Sequence, residues 1–493
     1  LQYVCEERIS NSACLEWRIV MEGFVARCQN GEILGPQQKG FSLEGWHDAF
    51  AAAQDGTIEA RRLYEAGLWF HNRFDLIRSI QSCFNISLVS ERQFKQYVIA
   101  LLNRMLHEVD WLIEDKAKAQ GFLGGEGLEV NGFESTITAG RLLLAHKGPF
   151  NAEPQHIGPV EQMAVESFAS LAVIYDDHQS SWLKCLWRGY FIDRTGERDI
   201  QRTSDPERER RRELAWVRHR HLSIQKERNI KESWAELDQV DRDRGASARM
   251  EVIAIERKGF QFNCTLGTPS REPDVLPFLI SMFIEVEEAQ FKVLVDRPFK
   301  KHPSITLRLL AEVYALLSSL ARKLCEGIVR APWSSEHVPQ HCPLIARSQL
   351  IELLVQGLRI STDEAQQALS YLSHGGHERH DLWSRPLVLI DKEEFALVLR
   401  PLIGVNPTWL LKNWMRDGGL HIDQTGGAYE QQVRKELDHA CRLKTAEVLQ
   451  HSMVLDKGNN PEQVDLVVRI GNTFLIGEVK CTVFPTRPDE ITN

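Results

Sequence analysis

Asp465, Glu478 and Lys480 are the residues of this 493-residue chain whose types and spacing suit them to carry out a reaction. They lie in Gln463-Val464-Asp465-Leu466-Val467-Val468-Arg469-Ile470-Gly471-Asn472-Thr473-Phe474-Leu475-Ile476-Gly477-Glu478-Val479-Lys480, where two apolar runs flank a Gly-Asn pair. A two-residue turn of this composition fixes hairpin register, so Ile470 is expected to face Thr473, and counting outward sets Asp465 opposite Glu478. Side chains alternate along a strand, which puts Lys480 on the same face as Glu478. The pattern predicts an Asp, Glu, Lys triangle on one side of a sheet.

Like charges that face each other across a ladder repel, and the apolar strands offer little solvated surface to relieve them. A hard divalent cation would compensate. Carboxylate oxygens suit Mg2+ or Mn2+, which take one or two protein carboxylates together with phosphate oxygens of a substrate. Lys480 is then placed to orient or deprotonate an attacking water, or to stabilise negative charge developing at phosphorus. The chemistry implied is phosphodiester hydrolysis.

At these residues the chain resembles the PD-(D/E)xK nuclease superfamily, which has the restriction-endonuclease-like fold. Asp465 and Glu478-Val479-Lys480 match its acidic and E-x-K elements, and Gly427-Ala428-Tyr429-Glu430 matches the start of the preceding helix with its early acidic residue. The resemblance covers about the last 70 residues. It implies metal ligation by Asp465, Glu478 and the backbone carbonyl of Val479, with Lys480, Glu478, Asp465 and Glu430 as catalytic residues. Val433 and Leu437 follow Glu430 at helical spacing on its face, although an i, i+4 pair with Arg434 explains Glu430 about as well. The family core continues beyond the E-x-K strand with another helix and strand, whereas this chain ends at Asn493 and begins at Leu1, not Met. It is therefore expected to be part of a longer protein.

The elements that must position the hairpin divide into four expected regions. Residues 1–150 read as a helical domain, with the run from Phe94 to Leu112 apolar at three- and four-residue spacing. Residues 151–340 read as a second, charge-rich helical domain. Its segment from Asp205-Pro206-Glu207 to Arg228 carries many arginines around Trp216. Arginine forks suit phosphates, but Glu207, Glu209, Glu213 and Glu227 offset the charge, and a solvated helix is the favoured reading.

Residues 341–415 carry the clearest local signals. Leu350, Leu353, Leu354 and Leu358 form one helical stripe, and Ser361-Thr362-Asp363-Glu364 is a capping box that opens a helix burying Ala365, Ala368, Leu369 and Leu372. The runs 386–390 and 395–399 then read as a hairpin. Helix, capped helix, hairpin is a winged-helix-like α+β order, with the 362–372 helix in the recognition position. Its outward Asp363, Glu364, Gln366 and Gln367 favour a protein contact or a spacer over duplex reading. His374, His377 and His380 have a spacing open to zinc, but intervening glycines and the lack of a fourth ligand favour a polar wing loop. Residues 416–493 form the nuclease-like α/β core.

Composition sets the outer bounds. Hydrophobic residues make up 43% and charged residues 26%, as in ordinary globular chains. The net charge of -9 rules out a polycation, so affinity for nucleic acid must come from a local basic patch. Ten scattered cysteines without a CxxC pair fit a reducing, cytoplasmic setting. No stretch reads as a membrane span. The function expected is a Mg2+- or Mn2+-dependent nuclease acting on nucleic acid, DNA before RNA. Its helical regions recognise a target or restrain cutting, or bind a protein partner or a second copy, an architecture resembling bacterial restriction and antiviral defence nucleases. The alternative is a non-enzymatic nucleic-acid-binding or scaffold protein that uses the winged helix and keeps a remnant nuclease fold.

Overall fold

In the computed structural model of the chain, the residues described are 23–38, 40–82, 89–120, 136–138, 140–144, 159–196, 199–211, 214, 250–267, 294–331, 333–375, 381–405 and 407–420, with short pieces between 435 and 477. They fall into two compact units, Leu1–Phe94 with Ile113–Ala215, and Lys95–Leu112 with Trp216–Asn493.

The first unit is built on α1 (Phe24–Gln29), α2 (Leu43–Ala53), α3 (Ile58–Ser82), the ends of α4 (Glu91–Gln120) and α5 (Pro159–Arg188), followed by the antiparallel pair β1 (Tyr190–Asp193) and β2 (Ile200–Thr203). Ser42 starts α2 by accepting a hydrogen bond from the Gly45 amide. The core is aromatic. Trp46 meets Phe24 edge-on at 4.9 Å and Trp182 at 6.0 Å, and Phe70 meets Trp182 at 5.9 Å. Gly67 lets α3 approach this cluster, since a Cβ there would lie 2.4 Å from Trp46 Cζ2.

The second unit contains a six-stranded mixed sheet in the order β3-β4-β5-β8-β7-β6. Its strands are β3 (Glu251–Lys258), β4 (Gln261–Gly267), β5 (Leu344–Ala346), β6 (Ser373–His374), β7 (Leu387–Leu389) and β8 (Glu394–Leu397). Helix α6 (Leu307–Glu326) packs on β3 and α7 (Arg347–Leu358) on β5, while α8 (Thr362–Tyr371), α9 (Leu399–Gly404) and α10 (Pro407–Gly418) pack on α6. The capping box is formed, with Glu364 bonded to the Ser361 amide at 2.8 Å, and Ala365, Ala368, Leu369 and Leu372 are buried. Helix α6 runs through the centre, where the buried Tyr314 hydroxyl lies 3.0 Å from the Trp383 carbonyl and 2.8 Å from that of Pro401.

Two expectations change. Residues 190–267 hold four strands where a helical region was expected. The β-branched Val252, Ile253 and Ile255 favour extended backbone, and Gly259 at φ +63° closes a tight turn into β4. His374 is buried on β6, paired with Val388, and so is not part of a polar loop, while His377 and His380 lie outside the described residues.

The segment 95–112 of α4 is joined to partners far along the chain by one buried amide. Asn103 Nδ2 donates to the carbonyls of His341 (2.8 Å) and Leu397 (2.9 Å), and its Oδ1 accepts from the Leu399 amide (2.8 Å). Replacing Asn103 with Leu keeps the volume and strands three buried backbone groups, each worth on the order of 1–3 kcal/mol. Chemical denaturation should show the second unit losing about 3 kcal/mol or more, with an unchanged transition for the first.

Candidate metal centre

The hairpin that frames the predicted site consists of β12 (Leu466–Ile470) and β13 (Thr473–Gly477), which follow β9 (Ala446–Val448), β10 (Met453–Leu455) and β11 (Glu462–Val464). Ile470 pairs with Thr473, as the turn composition predicts, and the register runs through Val468–Leu475 and Val467–Ile476 to Leu466–Gly477. On its other side β12 pairs with β9, so it is the central strand of three. Val467 and Val468 are both buried, and because they point to opposite faces, β12 is covered on both. Arg469 faces Glu447 across the ladder at 3.8 Å. Among the described strands β13 is an edge, with Phe474, Leu475 and Ile476 60%, 53% and 71% exposed.

Asp465 is the residue before β12 and Glu478 the residue after β13, one position beyond the Leu466–Gly477 pair on each strand. Asp465, Glu478, Val479, Lys480 and Glu430 themselves lie outside the described residues. Among the described residues, no three His, Cys, Asp or Glu side chains converge to hold a metal ion. In the arginine-rich segment Asp205 caps its helix as expected, accepting from the Arg208 amide at 2.9 Å, and Arg188 pairs with Glu209 at 3.2 Å. Most of the segment from 212 to 249 is outside the described residues.

On α8, Thr362, Asp363, Gln366, Gln367 and Ser370 are exposed, so its outer face carries no basic side chain. The neighbouring hairpin tip reads Asp391-Lys392-Glu393. No helix among the described residues is long and apolar enough to cross a membrane. Comparison of the chain with protein-family models, with curated proteins and with solved structures gives no match.

One polar cluster escaped the sequence reading. His341, on the helical turn Val338–His341, is fully buried, and neither ring nitrogen has a hydrogen-bond partner among the described residues. Its ring lies 5.8 Å from that of His107 on α4, whose Nε2 is 3.8 Å from Cys325 Sγ. Burial pushes His341 down to about 3, helped by His107, Arg104, His337 and Arg257. Burial, then Arg400 and Arg104, push His107 down to about 4. The only cue in the sequence is the apolar-to-cysteine context of Val338-Pro339-Gln340-His341-Cys342, which matches many surface turns equally well.

These histidines give the second unit an acid limb. Their folded values lie below the unfolded value, so the neutral form is favoured by folding. The stability this confers is present above pH ~6.5 and is lost as pH falls toward 4. Going from pH 7 to pH 5 should cost on the order of 2 kcal/mol for each histidine. His341→Phe removes a titrating group whose nitrogens make no hydrogen bond. Thermal unfolding across this range should therefore find the variant at least as stable as the wild type at pH 7 and less sensitive to acid.

Proposed function

We propose that this chain is a metal-dependent nuclease whose C-terminal hairpin hydrolyses phosphodiester bonds, with DNA as the substrate. The observation that carries this reading is the register of β12 and β13. The Ile470–Thr473 closing pair and the terminal Leu466–Gly477 pair are those required for Asp465 to meet Glu478 in the next step of the ladder. Asp465, Glu478 and the Val479 carbonyl would hold Mg2+ or Mn2+. The ion would neutralise the facing carboxylates and bind phosphate oxygens. Lys480 would position the attacking water and stabilise charge on phosphorus, and Glu430 would complete the acidic set.

For residues 341–415 the order of elements in the second unit supports the winged-helix-like reading. Strand β5, α7, α8, β6, β7 and β8 follow one another in that order, with β8 lying between β5 and β7 and β6 beside β7 in the sheet. In this domain α8 holds the recognition position, but its acidic to neutral outer face suits a protein contact or a spacer and not a duplex groove.

The test is single-turnover cleavage of labelled DNA and RNA, with and without Mg2+ or Mn2+. Asp465→Ala and Glu478→Ala should abolish cutting and weaken metal binding without loss of metal-free stability, because truncation removes a repulsive pair. Lys480→Ala should still bind metal but cut on the order of a hundredfold more slowly or worse. Full Mg2+-dependent cleavage by any of the three would refute the assignment.

A further inference from the structure

The segment between 294 and α6 forms a compact loop that presents basic side chains. Its backbone is closed on itself: the Arg297 amide donates to Leu294 O (3.0 Å), the Phe299 amide to Ile305 O (2.9 Å), and the Ile305 amide to His302 O (2.9 Å). Phe299 is the anchor. It is 1% exposed, meets the Tyr371 ring edge-on at 5.6 Å, and packs so closely on the C-terminus of α10 that a Cβ at Gly418 would come within 2.4 Å of its ring. Next to it, the stem of Lys300 covers Gly419, which takes φ +76°.

Fixing the loop in this way gathers positive charge at one place. Asp296 is taken up by Arg308, whose Nε and Nη2 lie 2.6 and 3.1 Å from its carboxylate. Arg297, Lys300 and Lys301 are exposed and have no ion-pair partner among the described residues. Two residues before Gly418, Arg416 has a 75% exposed side chain, and Arg385 stacks over Tyr371 at 5.1 Å. Asp417 is the acidic residue among them, 3.8 Å from Arg385 and 3.7 Å from Arg416. The chain as a whole carries -9, so a rigid surface with this excess of cations runs against the overall charge.

We propose that Arg297, Lys300, Lys301 and Arg416 form the phosphate-contacting surface that holds duplex DNA for this enzyme. The inference rests on the nuclease reading for what the bound DNA is used for. The continuity of the chain supports the link, because α10 ends at Gly418 against Phe299 and leads directly into the nuclease-like segment. The ammonium and guanidinium groups engage backbone oxygens of any sequence, and each contact releases condensed counterions.

The experiment is fluorescence anisotropy of a labelled DNA duplex with the full chain in EDTA, across a salt series. The triple variant Arg297→Gln, Lys300→Gln, Lys301→Gln should bind at least about tenfold more weakly near 0.1 M salt. Its log Kd versus log salt slope should be shallower by roughly two to three, about 0.9 per lost phosphate contact. Lys300→Gln and Lys301→Gln alone should each lower the slope by about one, which guards against a folding defect in the triple variant. A variant at Arg210 and Arg211, exposed residues of the arginine-rich helix, should change binding far less. Wild-type affinity and slope in the triple variant, failure of the wild type to bind duplex DNA, or a larger loss from Arg210 and Arg211 would each overturn the proposal. Asp465→Ala separates the two readings: it should bind DNA with the wild-type slope and not cut it, and normal cutting by that variant would defeat the nuclease reading alone.

Discussion

The side-chain amide of Asn103 is the constraint on which the second unit depends. An amide offers two donors and one acceptor, and here all three are used on backbone groups of residues 341, 397 and 399. Those residues lie at the end of the turn before β5, at the end of β8 and at the start of α9. One side chain therefore sets the placement of α4 against the sheet and its last helices at once. The contact spans 238 to 296 residues of sequence. Loop-closure entropy must be met before it forms, so the unit is expected to fold slowly and cooperatively rather than helix by helix. The same segment brings His107 beside His341 and Cys325, and its burial there keeps both imidazoles neutral at physiological pH.

What could be read from the sequence was local. The capping box at Ser361, the apolar stripe of α7, the 387–397 hairpin and the register at Ile470–Thr473 each depend on residues within a few positions of one another, where turn and cap chemistry decide the backbone. What could not be read was set by distant partners. Asn103 looks like a solvated residue on an amphipathic helix, because nothing nearby announces the three backbone groups it will meet. Strands β1 to β4 were missed because their pairing partners lie across turns whose signal is a single glycine. Arg297-Pro298-Phe299-Lys300-Lys301 fell within the helical region expected for 151–340, whereas it is a loop that Phe299 anchors against Gly418 and Tyr371. An aromatic ring between a proline and paired lysines was the available cue, and it marks an anchor with charges held beside it.

The carboxylates of the predicted metal centre follow the same division. The register that the two-residue turn implies could be read, and β12 and β13 take it from Ile470–Thr473 to Leu466–Gly477, while Asp465 and Glu478 lie outside the described residues. Their electrostatic setting could not, since it depends on which faces of the sheet are covered. Central β12 buries Val467 and Val468 on opposite faces, whereas edge β13 exposes three consecutive apolar residues. If Asp465 and Glu478 face each other as proposed, their repulsion would grow as water is excluded, and the coverage of β12 beside them would favour a compensating cation.

The charges around α8 show how structural and functional demands separate. Its first turn carries Asp363 and Glu364, and its last residue, Tyr371, is flanked by His302 and Arg385. This is the arrangement that opposes a helix dipole, so part of the basic cluster is explained by α8 itself. The dipole effect fades within one turn and is satisfied by groups touching the helix end. Lys300 lies over the C-terminal end of α10, where it also opposes that helix's dipole, but no helix end and no ion pair among the described residues accounts for Arg297 and Lys301, exposed on the loop held in place by Phe299. At about 1.5 Å per residue, α8 is roughly 15 Å long, which keeps these cations well apart from its acidic first turn. A polyanion drawn to the loop would therefore meet the C-terminal end of α8 and be repelled from its acidic first turn, the end that would read bases under the proposed winged-helix reading. Under the proposed nuclease function, duplex DNA held this way would be bound without sequence readout by α8, which would leave any selectivity in cutting to the hairpin, to DNA shape or to a protein bound on the acidic face.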